Sequence, residues 1–211
     1  MTVAEVVRRF SAEGGEAVVI GFSGATVIRL ERRTETLYYK AGSGISAEAD
    51  RLVWLNATGF PCPVVRDRGD DWMLTSKLPG RDASQPWPEA DRPQVLKALA
   101  GGLRALHELD VRDCPFDLDF PGERTVVAHG DYCAPNVFVD PETLRFSGVL
   151  DVGYLGAGDP YVDLALMYKS LSNGLNPQYG GLAASVGFVE AYGGDPAEPR
   201  IQAYIDFADA R

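Results

Sequence analysis

Apolar and polar positions alternate over short stretches in the first third of the chain and recur at helical spacing further on. Residues 17–20, 26–30 and 36–40 are short runs rich in β-branched and aromatic residues, and read as three successive strands. The glycine-containing stretch 21–25 reads as the turn between the first two. Residues 47–56 set Leu52, Val53 and Leu55 among polar neighbours, with Glu48 in the first turn, and predict a helix. Residues 64–65 and 72–75 add two strands around a polar turn at 67–71. Five strands and a helix make a small lobe. Residues 81–93, rich in proline and charge, read as a surface connection. The spacing of Val95, Leu99, Leu103 and Leu106 predicts a long helix over 94–109, with His107 near its end read as structural. Residues 137–139 and 146–150 read as two strands around the turn Asp140-Pro141-Glu142-Thr143. Asp159-Pro160 has the form of an N-cap followed by proline at the first helical position.

At 211 residues the chain has room for one large domain or two small lobes. Its composition, 45% hydrophobic and 24% charged, is that of an ordinary globular protein. No apolar run approaches the ~20 residues of a membrane span, and Met1-Thr2-Val3-Ala4-Glu5 lacks a basic-then-apolar leader. Cys62, Cys114 and Cys133 show no C-x-x-C spacing, and read as reduced, packed thiols of a cytoplasmic protein. With 2 histidines, a His-rich metal site is excluded. The net charge of −10 argues against a nucleic-acid partner, which needs a basic stripe. It suits a cationic partner steered in by acidic surface, or simple solubility; charge alone does not choose.

The candidate chemistry lies in His129-Gly130-Asp131-Tyr132-Cys133-Ala134-Pro135-Asn136 and in Leu150-Asp151-Val152-Gly153. A hairpin between these segments would return the chain to its start and make Asn136 and Asp151 neighbours. Paired strands lie about 5 Å apart, so two oxygen side chains can share one Mg²⁺. Asp131 would face the same ion and an incoming hydroxyl. The spacing resembles the protein-kinase catalytic loop, H-R-D-x-x-x-x-N, and its metal-binding D-F-G. Gly130 replaces the arginine, which in regulated kinases reads a phosphorylated activation loop. Only 5 residues separate Gly153 from Asp159, too few for such a loop. The expectation is a constitutively assembled kinase acting on a small molecule. The bland alternative is a set of carboxylates that cap turns and helices.

In the first lobe, the turn at 21–25 would fold over nucleotide phosphates. Lys40 ends the third strand, where a kinase carries its phosphate-pairing lysine, and Glu48 is the expected ion partner. An exposed lysine and a helix-start glutamate also fit ordinary surface chemistry. Residues 76–80 would cross to the second lobe, Ser76 and Leu78 offering backbone groups to an adenine edge. No G-x-x-x-x-G-K-[ST] motif occurs. The glycines at 153–158 look superficially like a dinucleotide turn, but Asp151 before them favours a metal loop.

The chain is further similar to the aminoglycoside phosphotransferases, the kinases of 3′ and 3″ hydroxyls. Residues 19–27 resemble that family's nucleotide loop, 48–55 its ion-pair helix and 59–64 the strand after it. Ala105-Leu106-His107 with Cys114-Pro115-Phe116-Asp117 is similar to a family signature, and 126–166 match almost continuously. The resemblance implies an α+β, bilobal, protein-kinase-like fold. Residues 1–76 would form an antiparallel-sheet nucleotide lobe and 77–211 a largely helical catalytic and substrate lobe. It implies Asp131 as the catalytic Asp that orients the attacking hydroxyl and accepts its proton. Asn136 and Asp151 would hold Mg²⁺, with ATP or GTP as donor. Lys40 would contact the phosphates, Glu48 would position Lys40, and Ser23 would add a loop contact. Asp163 and His129 are implied as structural supports.

The implied activity is transfer of the γ-phosphate of ATP to a hydroxyl of an aminoglycoside antibiotic, a small cationic sugar, conferring resistance, with no nucleic acid or membrane partner and the oligomeric state left open. Asp159 and Asp209 are the carboxylates that would meet substrate amines. Two departures bear on the acceptor. Relatives carry a long helical segment, with an acidic loop lining the antibiotic site, where only residues 118–125 stand here. They also commonly carry an arginine where this chain has Tyr154. The alternatives are a kinase of another small hydroxylated metabolite, or a shortened nucleotide-binding protein without turnover.

Overall fold

Alternation along the first strands decides which face of the N-terminal unit, Met1–Leu78, meets which helix. The structure, a computed structural model, describes residues 1–18 and 24–210. Helix α1 (Val3–Arg9) opens in a capping box: Glu5 N–H donates to Thr2 Oγ1, and Thr2 N–H donates to the Glu5 carboxylate. Five strands follow, β1 (Gly14–Val18), β2 (Thr26–Glu31), β3 (Thr36–Ala41), β4 (Val65–Arg68) and β5 (Trp72–Ser76), with α2 (Ile45–Ala57) after β3. They form one antiparallel sheet in the order β1-β2-β3-β5-β4. On one face Ile28, Leu30, Leu37, Tyr39 and Leu74 close over Val6 of α1 and Phe10 just after it. Because strand side chains alternate, Lys40 points to the other face, opposite Val27 and Met73.

The edge strands differ from the sequence reading. β1 begins earlier than residue 17, and β4 runs on through residues read as a turn. Both are mostly exposed, so they carry little of the apolar alternation that marks the inner strands. Ser23 and most of the turn at 21–25 lie outside the described residues.

The second unit is Pro79–Arg211. It contains β6 (Arg81–Asp82), α3 (Arg92–His107), β7 (Val126–Ala128), β8 (Val137–Val139), β9 (Phe146–Val149) and β10 (Gly156–Gly158). The helices α4 (Pro160–Ser172), α5 (Leu182–Tyr192) and α6 (Arg200–Asp209) complete it. α3 buries Val95, Leu99, Leu103 and Leu106, as their spacing predicts, and ends at His107. β8 and β9 form the expected hairpin, flanked by β6, and β7 pairs antiparallel with β10. α4 starts at the predicted cap, Tyr161 N–H donating to Asp159 Oδ1 at 2.8 Å. A sheet-dominated unit followed by a mainly helical one makes the chain α+β. Among the described residues no helix is long and apolar enough to cross a membrane.

Candidate active site

The β8–β9 hairpin pairs Val137 with Val149. Just beyond the paired residues, Leu150 N–H donates to the Asn136 carbonyl at 2.8 Å. The ends carrying Asn136 and Asp151 are therefore adjacent. Asp151 adopts φ 58°, the left-handed region that Asp tolerates better than most side chains. Asn136 Nδ2 donates to the Asp131 carbonyl at 3.0 Å and to Asp131 Oδ2 at 2.9 Å. With its amide nitrogen so committed, Oδ1 faces away from Asp131. Burial, with the charge of Asp131 beside it, raises the Cys133 thiol.

The loop itself is held from beneath. Asp163, fully buried on α4, accepts the N–H of His129 at 2.7 Å and of Gly130 at 2.9 Å. It also accepts from His107 Nε2 at 3.0 Å, and the other ring nitrogen of His107 bonds Tyr192 Oη at 2.7 Å. His107 is thus a support of the catalytic loop, a role hidden in the sequence because its partner lies 56 residues away. His129 Nδ1 accepts from Asp131 N–H at 3.2 Å, while Nε2 faces the Leu150 carbonyl at 2.9 Å. A backbone N–H only donates and a carbonyl only accepts, so His129 is the neutral Nε2–H tautomer.

Burial raises the Asp131 carboxyl above the ordinary carboxylate range. A positive charge on His129 would oppose the rise, but its tautomer leaves the ring neutral. The charge of Asp151 adds to the rise, while hydrogen bonds from Asn136 and Cys133 favour the ionised form. Among the described residues no group of three or more His, Cys, Asp or Glu forms a ready chelate. The donors here are an amide oxygen and carboxylates, hard oxygens that suit Mg²⁺ shared with a phosphate ligand rather than a closed protein cage.

Gly130 explains the missing kinase arginine. Its φ is 80°, and a Cβ there would stand 2.6 Å from Leu118 Cδ1 and 2.7 Å from Tyr154 Cβ. A side chain there is disfavoured by both conformation and space. Tyr154, 54% exposed, therefore lies directly against the catalytic loop.

The two carboxylates read from the sequence as substrate contacts each have partners within the chain. Asp159 is 2% exposed; besides capping α4 it pairs with Arg200 Nη1 at 2.8 Å. Contact with a substrate amine would require that pair to exchange. Asp209 pairs with Lys169 at the surface. Neither contact involves Asp131, Asn136 or Asp151.

In the N-terminal unit, Lys40 Nζ donates to both oxygens of Glu48, at 2.7 and 2.9 Å. The pair is largely buried, with side-chain exposures of 17% and 6%. Ser76 N–H donates to the Val64 carbonyl and Ser76 Oγ accepts from Val64 N–H, both at 2.9 Å. Leu78 is buried at the end of the unit.

The sequence matches the model of the phosphotransferase enzyme family in two stretches, residues 32–121 and 117–211, which meet in the short loop. It is 34% identical to an aminoglycoside 3′-phosphotransferase of Streptomyces fradiae, with 96% of each chain covered. It is 32% identical to a streptomycin 3″-kinase of Streptomyces griseus, with 91% of each covered. The first alignment runs over 259 residues, more than the 211 of this chain, so part of that relative faces gaps here. A crystal structure of an aminoglycoside-3′-phosphotransferase of type VIII superposes with a TM-score of 0.81, at 33% identity and with 96% of each chain covered. The protein-kinase-like fold expected from the resemblance is met. With the family model spanning most of its length and relatives above 30% identity over nearly all of it, this chain belongs to the phosphotransferase enzyme family.

Proposed function

We propose that this chain is a Mg²⁺-dependent kinase that moves the γ-phosphate of ATP onto a hydroxyl of an aminoglycoside, and so confers resistance to it. The observation that carries the reading is the grip of Asn136 on Asp131 beside the backbone of Asp151. The names of the relatives support the acceptor class. The acidic charge of −10 suits amines on that acceptor.

In this reading residues 1–76 bind the nucleotide, and 77–211 supply catalysis and the acceptor site. Lys40, fixed by Glu48, offsets phosphate charge, and the backbone around Ser76 and Leu78 meets the base. Ser23 adds a phosphate contact. Asn136 and Asp151 would hold Mg²⁺, which would supply positive charge beside the phosphates. Asp131 orients the acceptor hydroxyl and takes its proton, and its raised proton affinity suits that task. Positioning and charge neutralisation carry most of the rate.

Incubating the purified chain with Mg-ATP and a panel of aminoglycosides, neutral sugars, macrolides and choline tests this. Transfer to an aminoglycoside, abolished by Asp131→Ala, is the expected result. Turnover on a neutral sugar and on no aminoglycoside would overturn the acceptor, and equal activity in the variant would overturn the site. One observation favours a second reading, a different small hydroxylated metabolite as acceptor. Only residues 118–125 stand where the family match breaks, and Tyr154 faces the catalytic loop there.

A further inference from the structure

Asp163 and Ser170 lie seven residues apart on α4, two helical turns, and so share one face. Asp163 takes the N–H groups at the start of the catalytic loop. Ser170 Oγ takes the N–H of Ala134, near the loop's end, at 3.1 Å. We propose that Ser170, locked by Asn176, is a second positioning residue of the catalytic loop, acting through Ala134 on Asn136. The inference rests on the phosphoryl-transfer reading above.

Ala134 opens the single 3₁₀ turn Ala134–Asn136, and its carbonyl accepts from Ala83 N–H at 3.1 Å. Both its backbone polar groups are therefore tied, and the turn ends on the residue whose amide grips Asp131. The Ser170 hydroxyl has its direction set in turn. Asn176 Nδ2 donates to the Ser170 carbonyl at 2.8 Å and to Ser170 Oγ at 3.2 Å. Both lone pairs of Oγ are thus taken, one by the loop and one by the lock.

Asn176 is 2% exposed, and its Oδ1 is buried with no hydrogen-bond partner. An apolar residue of similar size would avoid that desolvation cost. The amide does two things here: it caps the Ser170 carbonyl in the last turn of α4, and it orients the Ser170 hydroxyl. The position matters because a small misplacement of a reacting group, about 1 Å, costs on the order of 100-fold in rate.

The test compares Ser170→Ala with Ser172→Ala, the same change at an exposed position of α4. Ser170→Ala is expected to lower kcat roughly 10- to 100-fold while KM for Mg-ATP stays within about twofold of the parent. By NMR, the Ala134 amide loses protection against hydrogen exchange, while His129 and Gly130 keep theirs. Ser172→Ala changes none of these. Should Ser170→Ala fail to fold, Asn176→Ala leaves the hydroxyl but frees its rotamer, and predicts a smaller shift in the same direction. An unchanged kcat, or an Ala134 amide as protected as in the parent, overturns the proposal. Exchange is read on the resting protein, so the brace is tested even in a chain that phosphorylates no acceptor. That separate result would overturn the proposed function.

Discussion

Residues 129–136 and residues 118–125 meet where Leu118 fills the place of a side chain at Gly130, yet they are held by opposite means. The catalytic loop is fixed through its backbone, its N–H groups received by the buried side chains of Asp163, His129 and Ser170. The loop at 118–125 is fixed by its ends and its rings. Phe120 sits 6.2 Å from Tyr204 and 5.1 Å from Phe207 between ring centroids, and Arg124 pairs with Asp117 at the surface. A backbone caught by buried acceptors tolerates little change of length. A segment resting on surface rings tolerates much more. The chain can therefore differ from its relatives in one loop while the reacting groups keep their supports.

The largest effect expected on this contrast comes from Asp131→Asn, which should lower kcat by roughly 10²- to 10⁴-fold with nucleotide affinity retained. Comparable rates from both proteins in a phosphate-transfer assay would remove the catalytic loop from the contrast altogether. Lys40→Met comes next and acts from the other unit. It leaves the Glu48 carboxylate buried without its ammonium, and should cost roughly 3 kcal/mol of stability and raise KM for nucleotide. Urea titration and initial rates would show both.

The sharpest comparison between the two loops pairs Gly130→Ala with Gly122→Ala. Both glycines have left-handed φ, 80° and 115°, and a Cβ at Gly122 would run into Tyr204 Oη. Each change should destabilise by about 1–3 kcal/mol. Gly130→Ala should also depress kcat, whereas Gly122→Ala should leave kcat and nucleotide KM alone. Matching kinetic profiles would show that the loops are not independent.

A smaller effect separates chemistry from stability. Because the folded-state affinity of Asp131 for its proton is raised, its contribution to stability is present at low pH. That contribution is lost as pH rises through the raised value. Asp131→Asn should therefore melt higher than the parent at neutral pH without nucleotide. The advantage should vanish below about pH 4, the ordinary aspartate range. Melting curves across that window would reveal a parent that is the more stable at pH 7, if the sign is wrong. The smallest effect belongs to Asp209→Ala, which removes an exposed ion pair with Lys169 and should shift stability by less than about 1 kcal/mol.

The parts of this fold written in local pattern were legible before any coordinates. β2, β3 and α3 bury alternating or helically spaced apolar residues, and the turn around Asp140 announced the hairpin that sets Asn136 beside Asp151. Elements without such a pattern were not. β10 is Gly-Ala-Gly, buried throughout, with almost no side chain to alternate. α5 is apolar on most sides and carries no polar stripe. Asp163 and His129 were named as supports through the family resemblance, but the partners that tie the supports in were not visible. His107 to Asp163 and Ser170 to Ala134 are contacts across 56 and 36 positions, and no local period reports a partner so distant. Asp159 shows the same limit: its motif was visible as a cap, but its pairing with Arg200, 41 positions on, was not.

The two ends of the short loop flank the same strand. Asp117 bridges Ala157 on one side of β10, and Thr125 N–H reaches the Gly158 carbonyl where β7 pairs on the other. Whatever joins Asp117 to Val126 only has to step over one strand end, and a single bridge at Asp117 and the three-residue ladder of β7 with β10 fix its two anchor points. That makes the crossing a natural graft site, a socket into which segments of very different size can be spliced to retarget the enzyme without rebuilding its engine.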